Sequence, residues 1–281
     1  MKRIGYFGSA TLALLALVAI ACTASAVTPT PNGIYSPSAT YWRWYNDYPQ
    51  STVNLTNTYP SSVQWSFNCP FAATGWGEKG IWQLSGDGGA SKLLFPNLSN
   101  YSYEADFNLS GASLAHAEGG LSMTPWWSDD AGEFMANATG EITYWGGILP
   151  SFSFSATYGI AYAVGGTIHE KVVYMAGVTE PNVAFPATEV LSIVWAGTPY
   201  SSPVLICGPR NPTDPPLYHD YGQLDNTKLG GQVLVGPVMP PTGTGQGAAT
   251  GTWTNIVFQS LDANATPTHS TSWGSLKSLY R

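Results

Sequence analysis

The chain has 281 residues, a formal net charge of −7, and only 10% charged residues against 44% hydrophobic ones. That acidic balance argues against a nucleic-acid duplex or an anionic membrane surface as partner, since either calls for a basic face. The apolar and aromatic content (13% Phe, Trp and Tyr) excludes a disordered chain, and charge this far below the usual ~25% suits an exported β protein with a polar but uncharged surface.

Lys2 and Arg3 open the chain, an apolar run follows from Thr11 to Ala21, and Ala24–Ala26 supplies small residues for cleavage. This order is that of an export signal, residues 1–26, and the run is shorter than the roughly 20 apolar residues of a membrane span. The mature chain is therefore expected outside the cytoplasm, in an extracellular, periplasmic or cell-surface space, with no transmembrane segment. Cys22 follows VAIA, a loose form of the sequence that precedes a lipidated cysteine, so a lipoprotein is the alternative. Residues 27–60 read as an extension. Val27–Thr40 is a Pro/Ser/Thr linker, and YWRWYNDYP (Tyr41–Pro49) is an aromatic cluster with one arginine.

From Ser61 to about residue 261 the chain reads as strands separated by turns, with 262–281 left as a tail. YSYEADFNL (Tyr101–Leu109) alternates strictly, so Tyr103, Ala105 and Phe107 should face a core while Glu104 and Asp106 face away. Glu118–Met123, Gly132–Ala136 and Glu141–Trp145 should form three antiparallel strands, with NATG turning the chain between the second and third. SFSFSAT (Ser151–Thr157) alternates again, and TIHEKVVYM, EVLSIVW, GQVLV and WTNIVF follow. No stretch sustains an apolar stripe at helical spacing. Many strands without β–helix alternation predict an all-β fold, a two-sheet antiparallel sandwich. Cys69 and Cys207 remain after signal cleavage, and in an oxidising compartment they are expected to form one long-range disulfide.

Chemistry concentrates in EGGLSMTPWWSDDAGEFMANATGEITYWGG, Glu118–Gly147. Glu118, Glu133 and Glu141 lie on or beside successive strands, where antiparallel pairing could bring two carboxyls within the ~5–9.5 Å that glycoside hydrolysis uses. Trp126, Trp127, Trp145 and Trp195 are flat walls on which sugar rings could stack. Asp129 and Asp130, in the loop that also carries Trp126 and Trp127, could accept sugar hydroxyls. They are also the calcium candidates, although their spacing is not that of an EF-hand loop, and no other cofactor is expected. Asp87 in SGDGG reads as a hairpin turn. The four histidines show no metal-binding spacing, and there is no G-x-S-x-G elbow.

Three stretches of the C-terminal half, TIHEKVVYM, VLSIVWAGTPYSS and GTWTNIVFQ, resemble strands of the concanavalin A-like lectin/glucanase jelly roll. Upstream, YEADFNLSG, EGGLSM and GEFMANATGEI are similar to strands of the domain grouped with 3-keto-disaccharide hydrolases. The resemblance covers Tyr101–Gln259 and implies two curved antiparallel sheets, often with a glycan site on the concave face. The chain lacks the E-x-D-x-x-E strand by which glucanases of that superfamily cleave. Asp130 and Glu133 are three apart, which in a strand puts them on opposite faces. The reading that follows is a secreted or cell-surface glycan-binding protein without catalysis. The alternatives are a glycoside hydrolase acting through a carboxylate pair and a structural surface protein with no small ligand.

Overall fold

The computed structural model describes residues 25–28, 37–46, 51–69, 78–96, 100–113, 117–124, 132–145, 151–175, 179–180, 183–184, 187–207, 223–233, 247–261 and 266–270. In chain order the strands begin with β1 (Ser25–Thr28), β2 (Ala39–Asn46), β3 (Thr52–Asn57), β4 (Ser62–Cys69), β5 (Glu78–Ser85) and β6 (Leu94–Pro96). Next come β7 (Tyr101–Ser110), β8 (Ala117–Thr124), β9 (Gly132–Asn137), β10 (Ile142–Trp145), β11 (Phe152–Ser153) and the short helix α1 (Phe154–Tyr158). The chain continues with β12 (Thr167–Met175), β13 (Thr179–Glu180), β14 (Val183–Ala184), β15 (Ala187–Trp195), β16 (Thr198–Ser201) and β17 (Leu205–Cys207). It closes with β18 (Gln223–Val233), β19 (Gly247–Ser260) and β20 (Thr266–Ser270).

Two antiparallel sheets of eight strands face each other. The first runs β16-β15-β12-β7-β19-β4-β3 with β17 beside β15, and the second runs β11-β10-β9-β8-β18-β5-β2 with β6 beside β18. The all-β sandwich expected from strand patterning is thus present. It takes in more chain than the 61–261 boundary allows, because β2 pairs along all of β5 and β3 pairs with β4. The aromatic cluster YWRWY is therefore an edge strand of the second sheet and not part of an extension. Among the described residues no helix is long and apolar enough to cross a membrane.

The alternation in β7 is realised as read. Tyr103, Ala105 and Phe107 are buried, and Glu104 and Asp106 lie on the other face of the strand. The core between the sheets is aromatic. Trp65, Phe67, Phe107 and Trp253 come from the first sheet and meet Leu121, Phe134, Leu229 and Trp82 of the second. Each such side chain, fully buried, contributes roughly 1.5–3 kcal/mol. Small residues make the fit possible. A Cβ on Gly231 would stand 2.2 Å from the Trp65 ring, and one on Gly119 2.5 Å from the Phe107 ring.

Ser151–Thr157 departs from its alternation. Only Phe152 and Ser153 are extended, and Phe154–Tyr158 is a helical turn. Ser153 caps it by accepting from the Ala156 N–H, and Gly159, at φ 66°, ends it in the left-handed region. Burial of Phe154 against the Phe134 ring, 5.5 Å between centroids, outweighs the period-two pattern.

The expected Cys69–Cys207 disulfide is not made. Cys69 ends β4 and accepts a hydrogen bond from Ser51 Oγ at 3.2 Å, whereas Cys207 ends β17 opposite Ala187. β19, β7, β12 and β15 lie between those strands, a span of roughly 24 Å at ~4.8 Å per strand spacing. A bridge needs Cα atoms about 4.4–6.8 Å apart.

Candidate functional site

The residues Glu118–Gly147 do form three antiparallel strands, β8, β9 and β10, in register Glu118↔Asn137 and Glu133↔Trp145. The turn between β9 and β10 is built by Asn137, whose Oδ1 accepts from the N–H groups of Thr139 and Glu141 and from the Thr139 hydroxyl. Trp126, Trp127, Asp129 and Asp130, including the calcium candidates, lie outside the described residues.

Strand parity divides the second sheet into a core face and an outer face. On the outer face, the pairing registers align Tyr41, Gln83, Lys228, Ser122, Glu133 and Trp145 into one row across β2, β5, β18, β8, β9 and β10. A second row holds Arg43, Ile81, Gly230, Gly120, Met135 and Thr143, and a third holds Lys79, Gln232, Glu118 and Asn137. This face is polar yet largely covered. Gln83 is 0% exposed and Ser122, Lys228 and Glu118 are also buried, while Trp145 at the end of the first row is 54% exposed.

Of the three candidate carboxylates, Glu118 and Glu133 share this face. Their register offsets them by four residues, roughly 13 Å along the strands, and what joins them is Lys79. Its ammonium contacts the Glu133 carboxylate, and its charge also acts on Glu118. The diagonal from Lys79 to Glu133 runs over Gly230 and Gly120, where no side chain obstructs it. Burial pushes the Glu118 carboxyl up to about 7. Lys79 opposes that rise and the Glu141 charge adds to it. Glu141 itself sits in the turn before β10, where its backbone carbonyl accepts from Asn137 N.

Trp195 is not on this face. It belongs to the first sheet, and its ring packs 5.1 Å from Tyr162 against the core. The outer face of the first sheet carries charge too, but its groups satisfy one another. Lys171 pairs with Glu104 at 2.6 Å, His169 Nδ1 with Asp106 at 2.8 Å, and Asn255 Nδ2 donates to Asp106.

Strand patterning did not single out Tyr41, Arg43, Lys79, Gln83, Lys92 or Lys228. Tyr41, Arg43 and Gln83, together with Ala90, Ser91 and Lys92, line a cavity of about 240 Å³ at the β2 side of the outer face. The one local signal was the alternation in YWRWY, which puts Tyr41 and Arg43 on one side of the strand and Trp42 and Trp44 on the other.

No protein-family model matches the chain, and no curated protein matches it. Among solved structures, the chain is similar to the marine PL-14 alginate lyase from Aplysia kurodai, with 6% identity, 85% of this chain and 100% of that chain covered, and a TM-score of 0.45. It is similar to an alginate lyase of polysaccharide lyase family 7, at 10% identity, 77% and 84% coverage and a TM-score of 0.41. It is also similar to the winged bean acidic lectin complexed with methyl-alpha-D-galactose, at 10% identity, 78% and 99% coverage and a TM-score of 0.36. These are distant likenesses, each at 10% sequence identity or less.

Proposed function

We propose that this is an exported protein that binds a glycan across the outer face of its second sheet. The observation that carries the reading is the first row of that face. Tyr41, Gln83, Lys228, Ser122, Glu133 and Trp145 lie side by side on six adjacent strands, polar in the middle and aromatic at both ends. At ~4.8 Å per strand the row spans roughly 24 Å, the length of a short oligosaccharide. Trp145, 54% exposed, offers a flat apolar wall for a ring face, and the partly exposed Tyr41 and Glu133 offer polar groups to sugar hydroxyls, while Gln83, Lys228 and Ser122 between them are buried. Soluble oligosaccharides presented on an array test it. The parent protein should be retained, and Trp145→Ala should lose most of that retention with an unchanged melting temperature. Absence of retention on every glycan would overturn the reading.

One observation favours a second reading, a carbohydrate-active enzyme. A carboxyl held at about 7 is matched to general acid–base work at neutral pH, and Glu118 is such a group. Release of reducing ends or of unsaturated sugars, abolished by Glu118→Gln, would replace binding alone with catalysis.

A further inference from the structure

The cavity at the β2 side of the outer face carries a sharper assignment, which rests on the glycan-binding reading. It is lined by Tyr41 and Arg43 of β2, Gln83 of β5, and Ala90, Ser91 and Lys92 of the following loop. Its volume of about 240 Å³ is below the ~300–1,000 Å³ usual for small-molecule sites, so it suits one substituent of a larger ligand. Gln83 is fully buried in its wall, and among the described residues neither its amide oxygen nor its amide nitrogen has a hydrogen-bond partner. Buried amides are ordinarily satisfied, and this one, in the wall of a cavity, lacks the partners that a ligand able to donate and accept would supply.

The loop side of the cavity is already organised. Ser85 Oγ, the N–H groups of Ala90 and Ser91, and Ser91 Oγ all donate to the Asp87 carboxylate. These bonds, with Ser85 and Ser91 foremost, hold that carboxyl well below the usual range. Gly89, at φ 94°, lies so close to β2 that a Cβ would stand 2.8 Å from the Thr40 carbonyl oxygen. Lys92 is thereby presented beside Arg43 by a loop that needs no reordering.

Charge is distributed to match. The whole chain carries −7, yet four of the five Lys and Arg side chains among the described residues are on or beside this one face: Arg43 and Lys92 line the cavity, Lys228 is buried in the first row, and Lys79 is paired with Glu133. The fifth, Lys171, is on the other sheet with Glu104.

We propose that the cavity accepts the acid group, carboxylate or sulfate ester, of an anionic sugar residue. Arg43 and Lys92 supply the charge, and Gln83 donates to an acid oxygen while accepting from an adjacent hydroxyl. A guanidinium meets such an oxyanion through two parallel bonds, which fixes orientation as well as charge.

The test is an array of uronate-bearing, sulfated and neutral oligosaccharides, probed with the full protein and with Arg43→Gln, Lys92→Gln and Gln83→Leu, each checked by thermal melt. Binding should be confined to anionic members, and whether uronate or sulfate members retain the protein identifies the acid group. It should weaken as ionic strength rises from about 0.05 to 0.5 M. It should be about tenfold weaker in Arg43→Gln, which alters an exposed side chain and should melt at the parent's temperature. Equal binding of neutral members, or binding untouched by Arg43→Gln and Lys92→Gln, overturns the acid-group assignment and leaves the glycan reading standing. Binding to no member overturns both.

Discussion

Glu170 of β12 and Leu121 of β8 join the two sheets through the middle of the core. Glu170 Oε2 accepts from the Leu121 N–H at 3.0 Å, and the carboxylate rests against Gly120. Trp253 Nε1 donates to the Gly120 carbonyl at 3.0 Å, and Tyr103 donates to the Ser122 carbonyl at 2.9 Å. Three first-sheet side chains thus hold the backbone of one second-sheet strand, the strand that also carries Glu118 to the outer face. A methyl group at Gly120 would meet the Phe134 carbonyl oxygen at 2.0 Å and Glu170 Oε2 at 2.6 Å, on a backbone at φ 156°. Gly120→Ala should therefore cost at least ~1–3 kcal/mol, read as a lower urea midpoint. A midpoint equal to the parent's would show that β8 yields freely.

Stability should fall as pH rises. Burial holds the Glu170 carboxyl well above the usual range, with the Leu121 bond opposing, and holds Glu118 at about 7. Above the unfolded value of ~4.3, the unfolded chain has released protons that the folded chain still binds, so the slope of stability against pH is negative. For Glu118 the loss runs from ~4.3 to about 7 and amounts to at most about 4 kcal/mol. Urea denaturation at pH 4.5, 6 and 8 should show a declining midpoint, and Glu170→Gln should flatten it. A midpoint that rises over this interval would contradict the burial of these carboxyls.

The titration of Glu118 should respond to its two charged neighbours in opposite directions. Lys79→Met removes the opposing cation and should raise the Glu118 midpoint above 7, while Glu141→Gln should lower it. Carboxyl carbon shifts followed by NMR measure both. Midpoints that do not move in either variant would place Lys79 and Glu141 too far away to matter.

Cys69 and Cys207 should be recovered in separate tryptic peptides without reductant, because five strand spacings separate β4 from β17. One linked peptide detected by mass spectrometry would require a different strand order.

Trp65 should tolerate no growth in the glycines that seat it. A Cβ on Gly231 would lie 2.2 Å, and one on Gly251 2.7 Å, from its ring. Gly231→Ala should destabilise by roughly 1–3 kcal/mol, and Trp65→Phe in the same chain should recover part of the loss, an interaction that a double-mutant cycle measures.

The alternation of Tyr101–Leu109 and the Asn–Gly turn at Asn137–Gly140 were legible in the sequence because each is local. Side-chain parity along one strand, and the φ and side-chain demands of one turn, need no distant residue. The same locality makes the sandwich class readable, and it explains why Ser151–Thr157 misleads. Its alternation is equally local, but burial of Phe154 against Phe134 selects a helical turn. The site was not legible, because its rows are made by pairing. Gln83 lies beside Lys228, and Lys228 beside Ser122, only because β18 inserts between β5 and β8. Arg43 reaches the cavity only because β2 forms the sheet edge along β5. Non-local register decided which outward side chains became neighbours, how far apart the two cysteines stand, and which of the acidic residues came within reach of Lys79. Side-chain period along a strand contains none of that information, since sliding a strand against its neighbour leaves the strand's own pattern intact while exchanging every partner across the sheet.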